Sequence, residues 1–272
     1  MPSYVVTGVS RGLGWEFLRQ LSSIPENTVI GIVRNKQATE RRVAQDLPGR
    51  SNITILEADV TSYDDLKKAA AETAVVTGGA LDYLIANAAY ITSFDAYDGI
   101  GSLCDKPEEL SDEFRRMMDT NVLGNIHLYG LFMPLILKGE PRKVVVVTSG
   151  LGDIDWTNAY ELELNSLYSI SKAAMNMVTA KFNAQYKKDG VLFVSICPGL
   201  ADVDHQQEPP NEAQQANVQR MFAAIAKYAP NFKGPDTAAF SVKAIMDVVD
   251  DCSIEKGDGG QFWSHFKNKQ WL

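Results

Sequence analysis

The chain has 272 residues, 45% hydrophobic and 22% charged, with 26 lysines and arginines against 34 aspartates and glutamates for a net charge of -8. That composition excludes disorder as the main state, because there is enough apolar surface to offset chain entropy. The acid excess argues against nucleic acid or an anionic membrane surface as the main partner.

The amino end lacks the basic stretch and long apolar core of a secretory signal. It opens instead on a short apolar run, Tyr4-Val5-Val6, which ends at Gly8, and a helix is predicted from about Leu13 to Leu21. A second run, Val29–Val33, ends at Arg34, and a third, Ile53–Leu56, ends at Asp59. Asp64 to Ala74 reads as helix, with Thr61 or Ser62 as N-cap. Further strands are predicted at Leu81–Ala86, Val144–Val147 and Val191–Cys197, ending at Asn87, Ser149 and Pro198-Gly199. Several runs are apolar throughout, so both faces must be covered, as in a parallel sheet between helices. Repeated strand–helix units imply a doubly wound α/β fold, whose ligands bind beyond the carboxyl ends of the strands.

No repeat, low-complexity tract or linker divides the chain. Two long irregular stretches, Tyr90–Pro107 and Leu200 to about Asn211, read as lids or insertions, or as solvated surface loops. Glu212–Tyr228 is amphipathic and reads as a flap over the substrate, or as an ordinary surface helix. No apolar run approaches the ~18 residues of a membrane span. Cys104, Cys197 and Cys252 form no CxxC pair, and His127, His205 and His265 show no ligand spacing, so no metal site is expected. Cys197 reads as core. A soluble, cytoplasmic protein is the expectation.

Thr7-Gly8-Val9-Ser10-Arg11-Gly12-Leu13-Gly14 joins the first strand to the first helix. Glycines let the backbone turn tightly against a pyrophosphate, and the helix N-terminus offers free N–H groups. The strand before and helix after favour a nucleotide site over an ordinary turn. No Asp or Glu lies between Thr28 and Ala38, where an NAD-binding protein places an acid for the ribose hydroxyl. Arg34 and Arg11 instead suit a 2′-phosphate, so NADPH is predicted over NADH, unless both are only surface arginines.

Tyr168 and Lys172 lie four residues apart, one turn along one helix face. A nearby cation favours phenolate, so the lysine is expected to lower the tyrosine pKa and ready it for proton transfer. A YxxxK pattern alone is a common accident; Ser149 at a strand end gives it weight.

On these residues the chain resembles the short-chain dehydrogenase/reductase family nearly end to end. The TGxxxGxG motif matches Thr7, Gly8, Gly12 and Gly14, and the acid that contacts adenine matches Asp59, with Val60 beside it. The NNAG element appears as Ala86-Asn87-Ala88-Ala89, and the post-strand PG as Pro198-Gly199. The catalytic tetrad matches Asn121, Ser149, Tyr168 and Lys172. Within the family the sequence is similar to the C-factor-like or sniffer-like carbonyl reductases. The resemblance implies a single Rossmann domain over residues 1–272, with a mainly parallel sheet of about seven strands and helices on both faces. Substrate loops are implied at about 90–107, 150–167 and 200–230.

The resemblance also implies an NADP(H)-dependent oxidoreductase. Ser149 orients a carbonyl, Tyr168 donates the proton, Lys172 binds the nicotinamide ribose and lowers the Tyr168 pKa, and Asn121 holds a water. The cofactor contacts are implied at Gly8, Ser10, Arg11, Gly12, Leu13, Gly14, Arg34, Asp59, Val60, Asn87, Ala88, Ala89, Tyr168, Lys172, Pro198 and Gly199. The family often forms homodimers or homotetramers through two central helices, here about Ser111–Leu137 and Tyr168–Tyr186.

Three departures matter: a long gap between Ser149 and Tyr168, Val203 where the family often has a carboxamide-contacting Thr, and the altered NNAG. The aromatics Tyr90, Phe94, Tyr97, Trp156 and Tyr160 suggest a bulky or aromatic carbonyl substrate, such as an intermediate of secondary metabolism, although loop aromatics also pack on their own domain. Asp153 or Asp155 could stabilise an iminium, so imine reduction is an alternative. A non-redox regulator or cyclisation scaffold is another, disfavoured because neither needs a proton donor.

Overall fold

The protein is described by a computed structural model covering residues 1–203 and 209–272. His205 lies outside the described residues, as does residue range 204–208 of the predicted Leu200–Asn211 loop. The chain begins with β1 (Ser3–Thr7), α1 (Gly12–Leu21), β2 (Thr28–Val33), α2 (Lys36–Asp46), β3 (Ile53–Glu57), α3 (Tyr63–Thr77) and β4 (Tyr83–Ala86). After a short helix, α4 (Ile100–Leu103), comes a long helical path. It comprises α5 (Pro107–Met118), a π-turn over Asp119–Leu123 and α6 (Gly124–Ile136). Then follow β5 (Lys143–Val147), α7 (Ile154–Tyr160), α8 (Ser166–Tyr186) and β6 (Leu192–Cys197). The remainder is β7 (Ala201–Asp202), α9 (Glu212–Tyr228), β8 (Asp236–Thr237), α10 (Ala238–Asp251) and β9 (Phe262–Ser264).

Seven strands form one sheet in the order β3-β2-β1-β4-β5-β6-β9, every pairing parallel. Successive side chains of a strand face opposite ways, and here both sides are apolar. Val29 and Val33 of β2, Val145 and Val147 of β5, and Leu192 and Val194 of β6 pack with α1 and α10. Their neighbours Ile30, Ile32, Val144, Val146 and Phe193 pack with α3, α6 and α8 on the other face. This is why those strands read as unbroken apolar runs. The doubly wound fold expected from the sequence is the one observed. Its seventh strand, β9, has three residues and a single cross-strand neighbour, too little for a sequence pattern to reveal.

Other differences are local. Tyr90–Pro107 is not wholly irregular, since α4 lies within it. The central helix starts at Pro107 rather than near Ser111, proline being suited to a first turn that lacks N–H partners. Ser62 is the N-cap of α3, accepting from the Asp65 N–H. His127 sits on α6 with its ring edge-on to Tyr63. Among the described residues no helix is long and apolar enough to cross a membrane.

The sheet order reverses between β1 and β4: the chain leaves β1 toward β2 on one side, and β4 continues to β5 on the other. The strand ends diverge there, and the crevice so formed is the ligand position of open α/β sheets.

Candidate active site

A cleft of about 1020 Å³ opens beyond the carboxyl ends of the strands. Its lining includes Gly8, Ser10, Arg11, Gly12, Leu13, Gly14, Arg34, Asp59, Val60, Asn87, Ala88, Ala89, Ser149, Tyr168, Lys172, Pro198 and Gly199. Every residue expected to touch a cofactor therefore faces one space. Asn121 is the exception among the four candidate catalytic residues: it is buried and does not line the cleft.

The turn after β1 is shaped for close approach. Gly8 takes φ +76, and a side chain at Gly14 would put its Cβ 2.1 Å from the Gly8 carbonyl oxygen. Thr7 joins the two strand ends at the crevice. Its hydroxyl accepts from the Asn87 and Ala88 N–H groups, both at 3.0 Å, while the Asn87 side-chain amide donates to the Thr7 carbonyl at 2.9 Å. The α1 first turn has no acidic residue, and its N-cap, Arg11, makes no side-chain cap. Those N–H groups and the positive helix end are therefore available to an anion.

Three guanidinium groups border this end. Arg11 and Arg34 are exposed, as a sequence reading allows. The third, Arg42, was missed. It comes from α2, donates to the Ser10 carbonyl at 2.9 Å and lies 3.9 Å over the Trp15 ring. No local pattern marks it, because its neighbours lie 27 and 32 residues away. Asp59 accepts from the Thr61 N–H at 2.9 Å and hydroxyl at 2.8 Å. Burial raises its pKa, but these bonds and the Arg34 charge outweigh that and hold the carboxyl below its ordinary range. Arg116, Asp119 and Thr120 of the central helix also line the cleft and were missed.

At the other end, Ser149 caps a tight turn over Gly150–Gly152, its Oγ accepting from the Leu151 N–H at 3.2 Å. That bond uses a lone pair and leaves the hydroxyl proton to donate. Tyr168 and Lys172 occupy successive turns of α8, the ammonium 5.3 Å from the phenol ring centre. Lys172 is buried and donates to the Val147 carbonyl at 2.9 Å.

The expectation that Lys172 lowers the Tyr168 pKa is corrected here. Burial pushes the phenol well above its ordinary value, Cys197 adds to that, and only the facing Ser149 hydroxyl pulls it down. The same burial pulls Lys172 down to about 8. Desolvation penalises whichever form carries charge, and at this depth it is the largest influence on both groups. Cys197 is core: its thiol is buried, accepts from the Gly150 N–H at 3.1 Å and is pushed up to about 11. The thiolate nucleophile is thereby disfavoured.

Asn121 sits in the π-turn, a distortion frequent at functional sites. Its side chain accepts from the Tyr90 N–H at 2.7 Å and donates to the Tyr90 carbonyl at 2.9 Å and the Ser171 hydroxyl at 3.1 Å. Ser171 in turn donates to the Tyr168 carbonyl at 2.7 Å. Both amide protons are thus engaged by protein groups, and the Oδ1 keeps one lone pair beyond the Tyr90 contact.

The loop aromatics divide. Tyr90 lines the cleft, its ring 4.2 Å beneath Arg116 and its hydroxyl donating to Glu113 at 2.8 Å. Phe94, Tyr97, Trp156 and Tyr160 do not line it. Trp156 and Tyr160 instead pack on Tyr228 of α9 at 4.9 and 5.0 Å. Asp153 caps α7, accepting from the Asp155 and Trp156 N–H groups at 2.8 and 3.1 Å, and Asp155 is exposed; neither lines the cleft. Val203 does line it, packed near Gly12. Among the described residues no three His, Cys, Asp or Glu groups gather as for a metal ion. His265 is buried against Gly199, and burial lowers its pKa.

A family model described as short chain dehydrogenase matches residues 3–214. Over 272 residues, all of both chains, the sequence is 55% identical to "Short chain dehydrogenase virK" of Hypocrea virens. Over 273 aligned residues, again all of both chains, it is 47% identical to "Short-chain dehydrogenase/reductase iacC" of Pestalotiopsis fici. The NADPH-bound carbonyl reductase from chicken fatty liver superimposes with a TM-score of 0.74 at 22% identity, covering 98% of each chain.

Proposed function

The chain belongs to the short-chain dehydrogenase family, and on that premise we propose that it is an NADPH-dependent reductase of a carbonyl group on a small molecule. One observation carries the proposal. The Ser149 hydroxyl, the Tyr168 phenol and the Lys172 ammonium border the same cleft as a glycine turn flanked by three guanidinium groups.

The residues fit the cofactor. The α1 N-terminus suits the pyrophosphate, Asp59 suits the adenine, and Arg11, Arg34 and Arg42 suit a 2′-phosphate, although Arg42 also pairs with Asp46 at 3.2 Å. The chicken carbonyl reductase of the same fold carries NADPH. When bound, NADPH supplies the hydride; the protein contributes position and electrostatics. The Ser149 proton, left free by the Leu151 contact, is donated toward the carbonyl oxygen and orients it. Tyr168 stays neutral at physiological pH because burial raises its pKa, so it holds the proton that the developing alkoxide takes. Below about pH 8 Lys172 is cationic and stabilises the phenolate left behind.

Tyr90, Ile91, Leu151, Leu200 and Val203 give the cleft an apolar wall, which supports an apolar carbonyl substrate. Of the five aromatics only Tyr90 lines the cleft and still argues for an aromatic one, while the likeness to the fungal dehydrogenases supports the expectation of a secondary-metabolism intermediate. Imine reduction loses its residue argument, since Asp153 and Asp155 lie outside the cleft lining. The outer faces of the two central helices expose Phe114, Leu123, Ile170 and Met177. They support a homo-oligomer formed through those helices.

The test is Tyr168→Phe. NADPH consumption with a panel of aromatic ketones and aldehydes should fall at least ~1000-fold, about 4 kcal/mol of barrier, while NADPH binding stays within ~2-fold. Retained turnover removes Tyr168 as proton donor. Tight NADPH binding by wild type with no turnover on any carbonyl would favour the regulator or scaffold.

A further inference from the structure

The helix that carries Tyr168 and Lys172 begins without a cap of its own. Its N-cap residue, Asn165, is in the left-handed region at φ 57, its side chain caps nothing, and the first turn contains no acid. A 21-residue helix thus starts with unpartnered N–H groups and an uncompensated positive end. The partner comes from far away in the sequence. Asp95, in the segment between β4 and α4, is completely buried. One oxygen of its carboxylate accepts from the Leu167 N–H at 2.7 Å and from the Tyr168 N–H at 3.2 Å. Its own carbonyl accepts from the Asn165 N–H at 2.9 Å.

We propose that Asp95 is a positioning residue for Tyr168, an imported helix cap that sets where the phenol stands relative to Ser149. The inference rests on the carbonyl-reductase reading of the preceding subsection. The bond falls on the backbone N–H of Tyr168 itself and on that of the preceding residue, Leu167. Ser171, on the same turn, takes the Tyr168 carbonyl, and Asn121 takes Ser171. Tyr168 is therefore held at both its N–H and its carbonyl by buried side chains. Its ring shares a small apolar cluster with Phe94, from the same segment as Asp95, and with Leu103 and Met117.

A burial cost accompanies this arrangement. The second Asp95 oxygen is buried with no hydrogen-bond partner among the described residues. Burial pushes the carboxyl above its ordinary range in spite of the backbone bonds, and Glu113 adds to the push. Leaving a carboxylate half-satisfied in the interior is costly, and an apolar residue would avoid that cost. A charge retained there compensates the α8 terminus on which the Tyr168 phenol depends. The segment is also tied to α9. Gln214 donates to Asp98 at 2.7 Å and Asn217 to the Tyr97 carbonyl at 2.8 Å, so the segment carrying the cap is anchored from α9 as well.

The experiment compares wild type, Asp95→Asn and Asp95→Ala. The amide keeps an acceptor oxygen and loses the charge; alanine loses both. Three quantities are measured: NADPH affinity by fluorescence titration, turnover of 4-nitrobenzaldehyde, and hydrogen exchange at the Leu167 and Tyr168 amides. The expected result is a graded fall in kcat, ~5-fold for Asn and ~50-fold for Ala, with NADPH affinity unchanged within ~2-fold and the two amides exchanging ~10-fold faster in Ala. Unchanged exchange, or faster exchange with kcat intact, overturns the proposal. Equal loss of NADPH affinity and kcat assigns a general structural role and also overturns it. If Asp95→Ala does not fold, Asp95→Asn carries the comparison alone. Failure of the underlying reading is distinguishable: wild type would then not reduce the aldehyde, and the proposal would fall with it, while the exchange data would still report the cap.

Discussion

Asn121→Ala separates two roles that the same residue type can play. The side chain makes one accepted and two donated hydrogen bonds to Tyr90 and Ser171. Its removal leaves the Tyr90 N–H and carbonyl unpartnered at a partly buried position. Each such group costs ~1–3 kcal/mol when buried, and partial water access favours the lower figure. The two Tyr90 groups then account for ~2 kcal/mol, and the void left by the side chain adds ~1 kcal/mol. At ~2–4 °C per kcal/mol for a protein of this size, the melting temperature should fall by ~6–12 °C. Turnover should fall as well, because Ser171 would lose the partner that orients it toward the Tyr168 carbonyl. The assay is thermal unfolding followed by circular dichroism, paired with NADPH-dependent turnover. A melting temperature within ~2 °C of wild type, with turnover lost, would refute the reasoning and return Asn121 to the role of water holder.

Cofactor choice is tested by Arg34→Ala. The guanidinium is exposed, so its contribution to a 2′-phosphate is discounted to ~1.4 kcal/mol, a ~10-fold loss of NADPH affinity with NADH unaffected. Equal effects on the two cofactors would refute the assignment. The pH dependence follows from Lys172. Its pKa is lowered to about 8, so it is charged below that value and neutral above it, and carbonyl reduction should fall as pH rises through about 8. A rate that instead rises through that range would show that the neutral lysine is the active form.

Much of this molecule was legible in one sequence for a definite reason. In a doubly wound sheet the ligand lies at strand ends, and strand ends are marked locally by where an apolar run stops. Thr7-Gly8, Asp59, Asn87, Ser149 and Pro198-Gly199 all follow such stops, and all but Thr7 face the cleft. The helical period put Tyr168 and Lys172 on one face, and Ser149 at a strand end gave that pairing its weight. What the tertiary structure decided depends on distance along the chain and on burial. Asp95 caps a helix that begins 71 residues later, Arg42 meets Ser10 across 32, and Asn121 meets Ser171 across 50. No local pattern encodes such partners. Burial also reversed an electrostatic argument that sequence spacing supports: beside a lysine in water a phenol becomes more acidic, but in this interior the cost of desolvation is the larger quantity.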